Sequence, residues 1–161
     1  MKTFRLKESI HINAPIERCF LLSTSIEIVQ MTLHMSPVGG KSSGLVGQGD
    51  RILWRGWKFG LPAWHETLIT RYERPNFFQD AMGSGMFHQF QHDHRFEDID
   101  GQTLLVDIVT FTMPLGPIGN YTAKKIVIPH ILSTMLRRFA LIKRIAESPD
   151  WANYLPDMPA A

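Results

Sequence analysis

From Thr3 to Ile12 apolar and polar side chains alternate, placing Phe4, Leu6, Glu8, Ile10 and Ile12 on one side of an extended chain. This predicts a strand with one buried face. The spacing then becomes helical in "NAPIERCFLLS", where Ile16, Cys19 and Phe20 recur on one face, with Asn13 as the expected cap and Pro15 just inside the start. "SPVGGKSSGLVGQGD" follows neither period. Its glycines and serines predict an exposed, mobile connection with little to bury, one that could gate a site.

Between Gly49 and Met113 the pattern is β. "GDRILWRGWKFG", "WHETLITRYERP", "FFQDAMG", "GMFHQFQHDHRFE" and "QTLLVDIVTFTMP" are aromatic or β-branched runs separated by turn-forming residues, which predicts an antiparallel meander of five strands. Beyond "PLGPIGN", Ile128, Leu132, Met135, Phe139, Ile142 and Ala146 stay within about 40° of one line on a helix, and Arg137 and Arg144 point the other way. The spacing therefore predicts a long amphipathic helix over residues 118–147, bent near Pro129 because an interior proline removes a backbone hydrogen bond. Residues 149–161 hold three prolines and follow no period. A loose tail is expected there, with Trp151, Tyr154 and Leu155 able to dock.

With 161 residues and 44% hydrophobic content, the chain can build one core, assigned here to a single domain over residues 1–148. Seventeen basic and 15 acidic residues give a net charge of +2, which offers no basic surface for nucleic acid and none for a membrane. Cys19 is the only cysteine, so no intramolecular disulfide forms, and an inert core thiol in a reducing cytoplasm is the expectation. The first residues lack an apolar run of signal or spanning length, so stable membrane insertion is not expected. The composition leaves a homodimer open.

A strand, small helices, a long meander and one apolar-faced helix require the sheet to bury a face against that last helix. In this order the residues resemble the helix-grip superfamily, the START-like or SRPBCC proteins that include lipid-transfer domains, the birch pollen allergen fold and polyketide cyclase/dehydrase proteins. The resemblance covers roughly residues 3–147 and is strongest to a bacterial ligand-binding branch. It is carried by "INAPIERCF", "GDRILWRGWKFG", "ERPNFFQDAMGSGMFHQFQHDHRFE" and "GQTLLVDIVTFTMPLGPIG" in that order. It implies an α+β fold, with about six to seven antiparallel strands around a long C-terminal helix and two short helices after the first strand. It also implies a cavity for an apolar or amphipathic small molecule, but no single reaction.

The candidate chemistry lies in "FHQFQHDHRFE". Alternation puts His88, Phe90, His92, His94 and Phe96 on one strand face, with His92 and His94 about 6.6 to 6.8 Å apart and His88 too distant to share an ion with them. A two- or four-residue turn around "DIDG" would bring Asp107 opposite His94 or His92, and a three-residue turn would send it to the other face. Two imidazoles and a carboxylate are the usual minimum for catalytic zinc. That strand spacing is a weak metal signal, however, and the expectation is a site without metal or other cofactor, in which a His–Asp group holds the polar end of a ligand or is simply hydrogen-bonded.

The expected lining is Trp54, Trp64, Phe90, Met135 and Phe139, with Glu66 as a buried acid facing the cavity against the commoner solvent-facing reading. Met31, His34 and Met35 could form an adaptable lid, although ordinary packing is commoner. "MGSGM" lacks the strand and helix that would make it a phosphate loop. Two function classes survive: a binding module for a hydrophobic or amphipathic molecule, and a cyclase/dehydrase-like enzyme using His92, His94 and Asp107 for proton transfer.

Overall fold

Alternating burial along β1 (Thr3–Ile12) reproduces the expected stripe, with Phe4 and Ile12 buried and the intervening odd-numbered residues exposed. The computed structural model describes residues 2–158 and joins seven strands in one antiparallel sheet of order β1-β7-β6-β5-β4-β3-β2. The others are β2 (Met35–Gly40), β3 (Arg51–Lys58), β4 (Leu61–Glu73), β5 (Phe77–Met82), β6 (Gln89–Ile99) and β7 (Gln102–Thr112). Two short helices, α1 (Ile16–Ser23) and α2 (Ile26–Leu33), follow the first strand. The sheet packs on a long C-terminal helical segment, which is the expected α+β architecture.

Four local expectations are corrected. Asn13 does not cap α1: Pro15 holds the flanking position in extended conformation, and the Asn13 backbone N–H instead donates to Glu147 Oε1 at 2.7 Å. The glycine-rich stretch begins as a strand, because β2 is an edge strand where a proline and a bulge between Pro37 and Gly39 are tolerated. Gly56 permits its close pairing, since a Cβ there would lie 2.8 Å from the Met35 side chain. The rest of that stretch, residues 41–50, is anchored too. Val46 is buried and its N–H reaches the Thr24 carbonyl at 3.0 Å, while the Gly44 carbonyl accepts from the Ile26 N–H.

The third correction concerns the expected helix over 118–147, which is built in three parts. α3 (Gly116–Thr122) runs into a π-helical turn (Ala123–Val127) and then α4 (Ile128–Ala146). The π turn ends two residues before Pro129. A proline ring crowds the carbonyl four residues back, and a wider turn is one way a helix accommodates it. Met135, Phe139 and Ile142 are buried and Arg137 is exposed, as the stripe requires, but Arg138 is buried as well.

Fourth, the tail is not loose where it is described. Pro149–Asn153 form a 3-10 turn capped by the Ser148 side chain, and Trp151 and Leu155 join the core beside α1 and α4. Burial of these two large apolar side chains holds the segment, and Pro149 and Pro156 flank it on either side. Residues 159–161 lie outside the described part. Among the described residues no helix is long and apolar enough to cross a membrane.

The core has two main halves along α4. Phe20, Phe96, Leu105, Phe139 and Ile142 fill one end. Phe111, Val127, Ile131 and Met135 form the other.

Candidate functional site

The hairpin between β6 and β7 decides the register on which the site depends. Its turn has two residues, Asp100 and Gly101, at φ 54° and 81°, and Ile99 pairs with Gln102. Two positive φ values suit a tight hairpin turn in which glycine carries no steric penalty. Counting back from this turn, His94 faces Asp107. On the other side of β6, His92 faces Asp80 and His94 faces Phe78. Three strands thus bring two histidines and two aspartates onto one face, where Arg138 of α4 meets them.

His94 is the centre of this cluster, with only 3% of its side chain exposed. Its Nδ1 lies 2.8 Å from Asp107 Oδ1 and its Nε2 2.9 Å from Asp80 Oδ2. Carboxylates only accept, so both ring nitrogens must donate, and His94 is an imidazolium. Arg138 Nη1 donates to Asp107 Oδ2 at 2.7 Å and Nη2 to the Ser23 carbonyl at 3.2 Å. Nη1 also lies 3.2 Å from His94 Nδ1. With both atoms carrying hydrogens, that approach is two donors sharing one carboxylate. Phe78 stacks on the His94 ring at 4.1 Å between centroids.

Two carboxylates, one guanidinium and one imidazolium sum to zero charge, which is how a buried cluster avoids an uncompensated ion. Burial opposes the charged form of His94, but the Asp107 charge and the hydrogen bonds that the ring donates to both aspartates outweigh it and raise the pKa above the ordinary histidine value. Burial would also raise Asp107, yet His94 and Arg138 hold its carboxyl well below the usual range. Asp80 is likewise lowered, with burial overcome by the His94 hydrogen bond. His92 goes the other way. Burial and the neighbouring His94 charge depress its pKa, so it is neutral at pH 7.

His92 is also the member whose bonding is incomplete. Its Nε2 is 3.2 Å from Asp107 Oδ2, but the approach is off the ring's donor axis and makes no hydrogen bond. Its Nδ1 is 4.0 Å from Asp80 Oδ2. The His92 and Asp80 side chains are 14% and 17% exposed, and both border a cavity of about 610 Å³ between the sheet and α4. The cavity's other walls include Ile52, Trp54, His65, Phe90, Ile131 and Met135.

The expected site residues separate into three groups. Trp54, Phe90, His92, His94 and Met135 border the cavity, with Trp54 held by its Nε1 donating to Thr67 Oγ1 at 3.1 Å. Asp107 sits behind the histidines, fully buried. Glu66 and Phe139 are placed differently from expectation, and Trp64 meets the cavity only at its border. Glu66 lies on the opposite face of β4 from His65 and Thr67 and pairs with Arg51 on the outside of the sheet. Trp64 shares that outer face and is 55% exposed, with the Arg55 guanidinium 5.3 Å from its ring centre, although it touches the cavity's border. Phe139 is packed in the closed core and does not border the cavity. His88 precedes β6 and is exposed. Of the suggested lid residues, Met35 is buried against Ile52 and Trp54, and Met31 is exposed.

Sequence reasoning missed Asp80, Arg138 and His65. Asp80 alternates with Phe78 in "FFQDAM", a signal of its face but not of its partner. Arg138 stands beside the apolar stripe of α4, where an arginine requires a buried carboxylate. His65 lies between Ala63 and Thr67 on the inner side of β4, and burial lowers its pKa.

No protein-family model matches the sequence, and no curated protein matches it significantly. Solved structures do match over nearly the whole chain. TTHA0849 from Thermus thermophilus superposes with a TM-score of 0.69 at 17% identity, covering 90% of this chain and 100% of that one. The di-domain ARO/CYC protein BexL, from a biosynthetic pathway, gives 0.73 at 14% identity, and the match takes in 91% of this chain and 50% of BexL. Ginseng major latex-like protein 151 from Panax ginseng gives 0.65 at 12% identity, over 89% and 97%. The chain has the helix-grip fold of these structures.

Proposed function

We propose that the protein binds an amphipathic small molecule in the cavity between sheet and α4, with its apolar body against Trp54, Phe90 and Met135 and its polar end at His92 and Asp80. The observation that carries this reading is one mostly apolar cavity, about 610 Å³ in volume, whose wall holds a neutral imidazole without an aligned hydrogen bond. That volume falls in the range of about 300–1,000 Å³ usual for small-ligand sites. An orientation-fixing polar group in an apolar chamber is the usual design of such sites. His94, Asp107 and Arg138 then hold His92 and Asp80 in place.

Similarity to BexL supports a second reading, a cyclase/dehydrase-like enzyme. His92 favours it specifically: a neutral imidazole at the cavity wall is placed to accept a proton, and Asp107 behind it would stabilise the imidazolium that forms. The apolar walls would enforce the fold of the substrate.

Extraction and mass spectrometry of whatever co-purifies with the protein tests both readings. Binding of 2-naphthol and naphthalene, which share one apolar body, tests the polar end. His92→Ala should weaken 2-naphthol about 10-fold and leave naphthalene unchanged. Failure of either compound to bind, or equal losses for both, would overturn the assigned role of His92.

A further inference from the structure

We infer that Asp80 Oδ2, His92 Nδ1 and His94 Nε2 form a site for one divalent first-row metal ion at the cavity wall, with Asp107 orienting both imidazoles from behind. One ligand atom from each of Asp80, His92 and His94 lies within 4.8 Å of the other two. Asp80 Oδ2 is 2.9 Å from His94 Nε2 and 4.0 Å from His92 Nδ1. A tetrahedral ion with ligands at about 2.0 Å spaces them roughly 3.3 Å apart, and the two measured edges bracket that value.

The opposite ring nitrogens carry the stronger argument. His94 Nδ1 and His92 Nε2 both turn to the same carboxylate, at 2.8 Å from Asp107 Oδ1 and 3.2 Å from Asp107 Oδ2. Arg138 fixes that carboxylate in turn at 2.7 Å. A metal-bound histidine almost always has a carboxylate or carbonyl on its other nitrogen, which sets the ring's tautomer and direction. Here one aspartate bonds the His94 ring and lies 3.2 Å from the His92 ring, and the opposite nitrogens of both rings face the same second aspartate. The spacing along β6 suggested Asp107 as the third ligand; the fold makes Asp80 the third ligand and puts Asp107 behind the rings.

A cluster held together only by its own hydrogen bonds would satisfy every buried polar group. This one leaves His92 without an aligned bond at either nitrogen. An ion gives Nδ1 a ligand role and draws the ring so that Nε2 can donate to Asp107. It would also take the place of the proton that joins His94 Nε2 to Asp80 Oδ2, which takes the cluster from zero net charge to +1, a charge that an anionic oxygen bound from the cavity would balance. Two imidazoles and one carboxylate suit zinc, iron(II), cobalt(II) or manganese(II), and the soft ligands that select copper(I) are missing from the set. Because His92 and Asp80 border the cavity, the remaining coordination positions open into it, where a ligand oxygen could bind. The inference stands without the ligand-binding proposal, since it uses only the cluster's internal geometry.

The test uses the full chain, stripped of metal with a chelator and titrated with Co²⁺ followed by visible absorption, and with Zn²⁺ by calorimetry. One ion per chain should bind, with the d–d bands of low-coordinate cobalt. Asp80→Asn and His92→Ala, each checked for folding by circular dichroism, should each weaken binding more than about 10-fold. Asp107→Asn should cost about 10- to 100-fold. His88→Ala, at an exposed histidine, should bind as the unmodified protein does. Absence of saturable one-to-one binding, or equal affinity in Asp80→Asn and His92→Ala to that of the unmodified protein, would overturn the site. If the variants do not fold, ring-nitrogen NMR of the unmodified protein decides: Zn²⁺ should shift His92 and His94, and shifts confined to His88 or His11 would overturn it. Naphthalene binding measured in chelator tests the cavity separately, so the two proposals can fail independently.

Discussion

The same three elements, β6, β7 and α4, build a closed end and an open end, and the polar cluster lies between them. Toward the closed end they contribute Phe96, Leu105 and Phe139, and α1 and the C-terminal turn add Phe20, Cys19 and Trp151 until the space is filled. Toward the open end they contribute Phe90, Val109, Ile131 and Met135, joined by Phe4 of β1 and Val127 of the π turn, and the space left against β3 and β4 is the cavity. His94, Asp107 and Arg138 occupy the layer where packing stops. Their charges are sheltered from water on the closed side, while His92 and Asp80 meet the cavity on the other. What distinguishes the ends is therefore the filling helix, not the alternation of the strands.

That contrast can be broken by matched truncations on α4. Phe139→Ala removes a side chain from a filled core and should destabilise the protein by about 3–5 kcal/mol. Met135→Ala, one turn away, enlarges a space that is already empty and should cost only about 1–2 kcal/mol. Urea denaturation measures both. Equal losses would mean that the open end is packed as tightly as the closed one. Between them, Arg138→Met leaves Asp107 buried without its guanidinium and should cost about 3 kcal/mol. A loss below about 1 kcal/mol would show that His94 alone compensates that carboxylate.

The closed end was more legible in the sequence than the cluster. Period two in β1, the 3.6 period in α4 and the run of strands were enough for a sheet covered by a last helix, because each depends on local spacing, and the helix-grip architecture came from the resemblance. Phe139 was readable as apolar and inward, but whether it met a core or a cavity depended on α1 and Trp151, which are distant in sequence. Asp107 opposite His94 was readable only as one outcome of the turn length. Asp80 was not readable at all, since its register against His92 depends on how residues 83–88 cross between β5 and β6. Glu66 misled because β4 is rich in large side chains on both faces. β2 was hidden because edge strands tolerate the glycines and proline that signal loops.

The smallest expected effect, and the one most particular to the cluster, is a pH optimum of stability in the metal-free protein. His94 has its pKa raised in the folded state, so its contribution is complete below the ordinary value of 6.5 and is lost as pH rises through the folded value. His92, His65 and His130 are lowered by burial. Each is neutral in the fold where the unfolded chain takes up a proton, so their effect is a loss of stability as pH falls below 6.5. The two trends meet near 6.5, and stability should decline on both sides. Asp80 and Asp107 are lowered, so their contribution disappears only further down, as pH falls through and below the ordinary carboxylate value of 3.8. On the alkaline side, up to the pH 9.0 at which the buried Cys19 thiol begins to matter, His94 is the only one of these histidines acting. The slope from one proton cannot exceed about 1.4 kcal/mol per pH unit. Thermal unfolding followed from about pH 5 to about pH 8.5, with chelator present, should therefore show a decline toward the alkaline end in the unmodified protein and a flat profile there in His94→Gln. A decline of equal slope in both would mean that His94 is neutral in the fold, and the charge balance assigned to the cluster would be wrong.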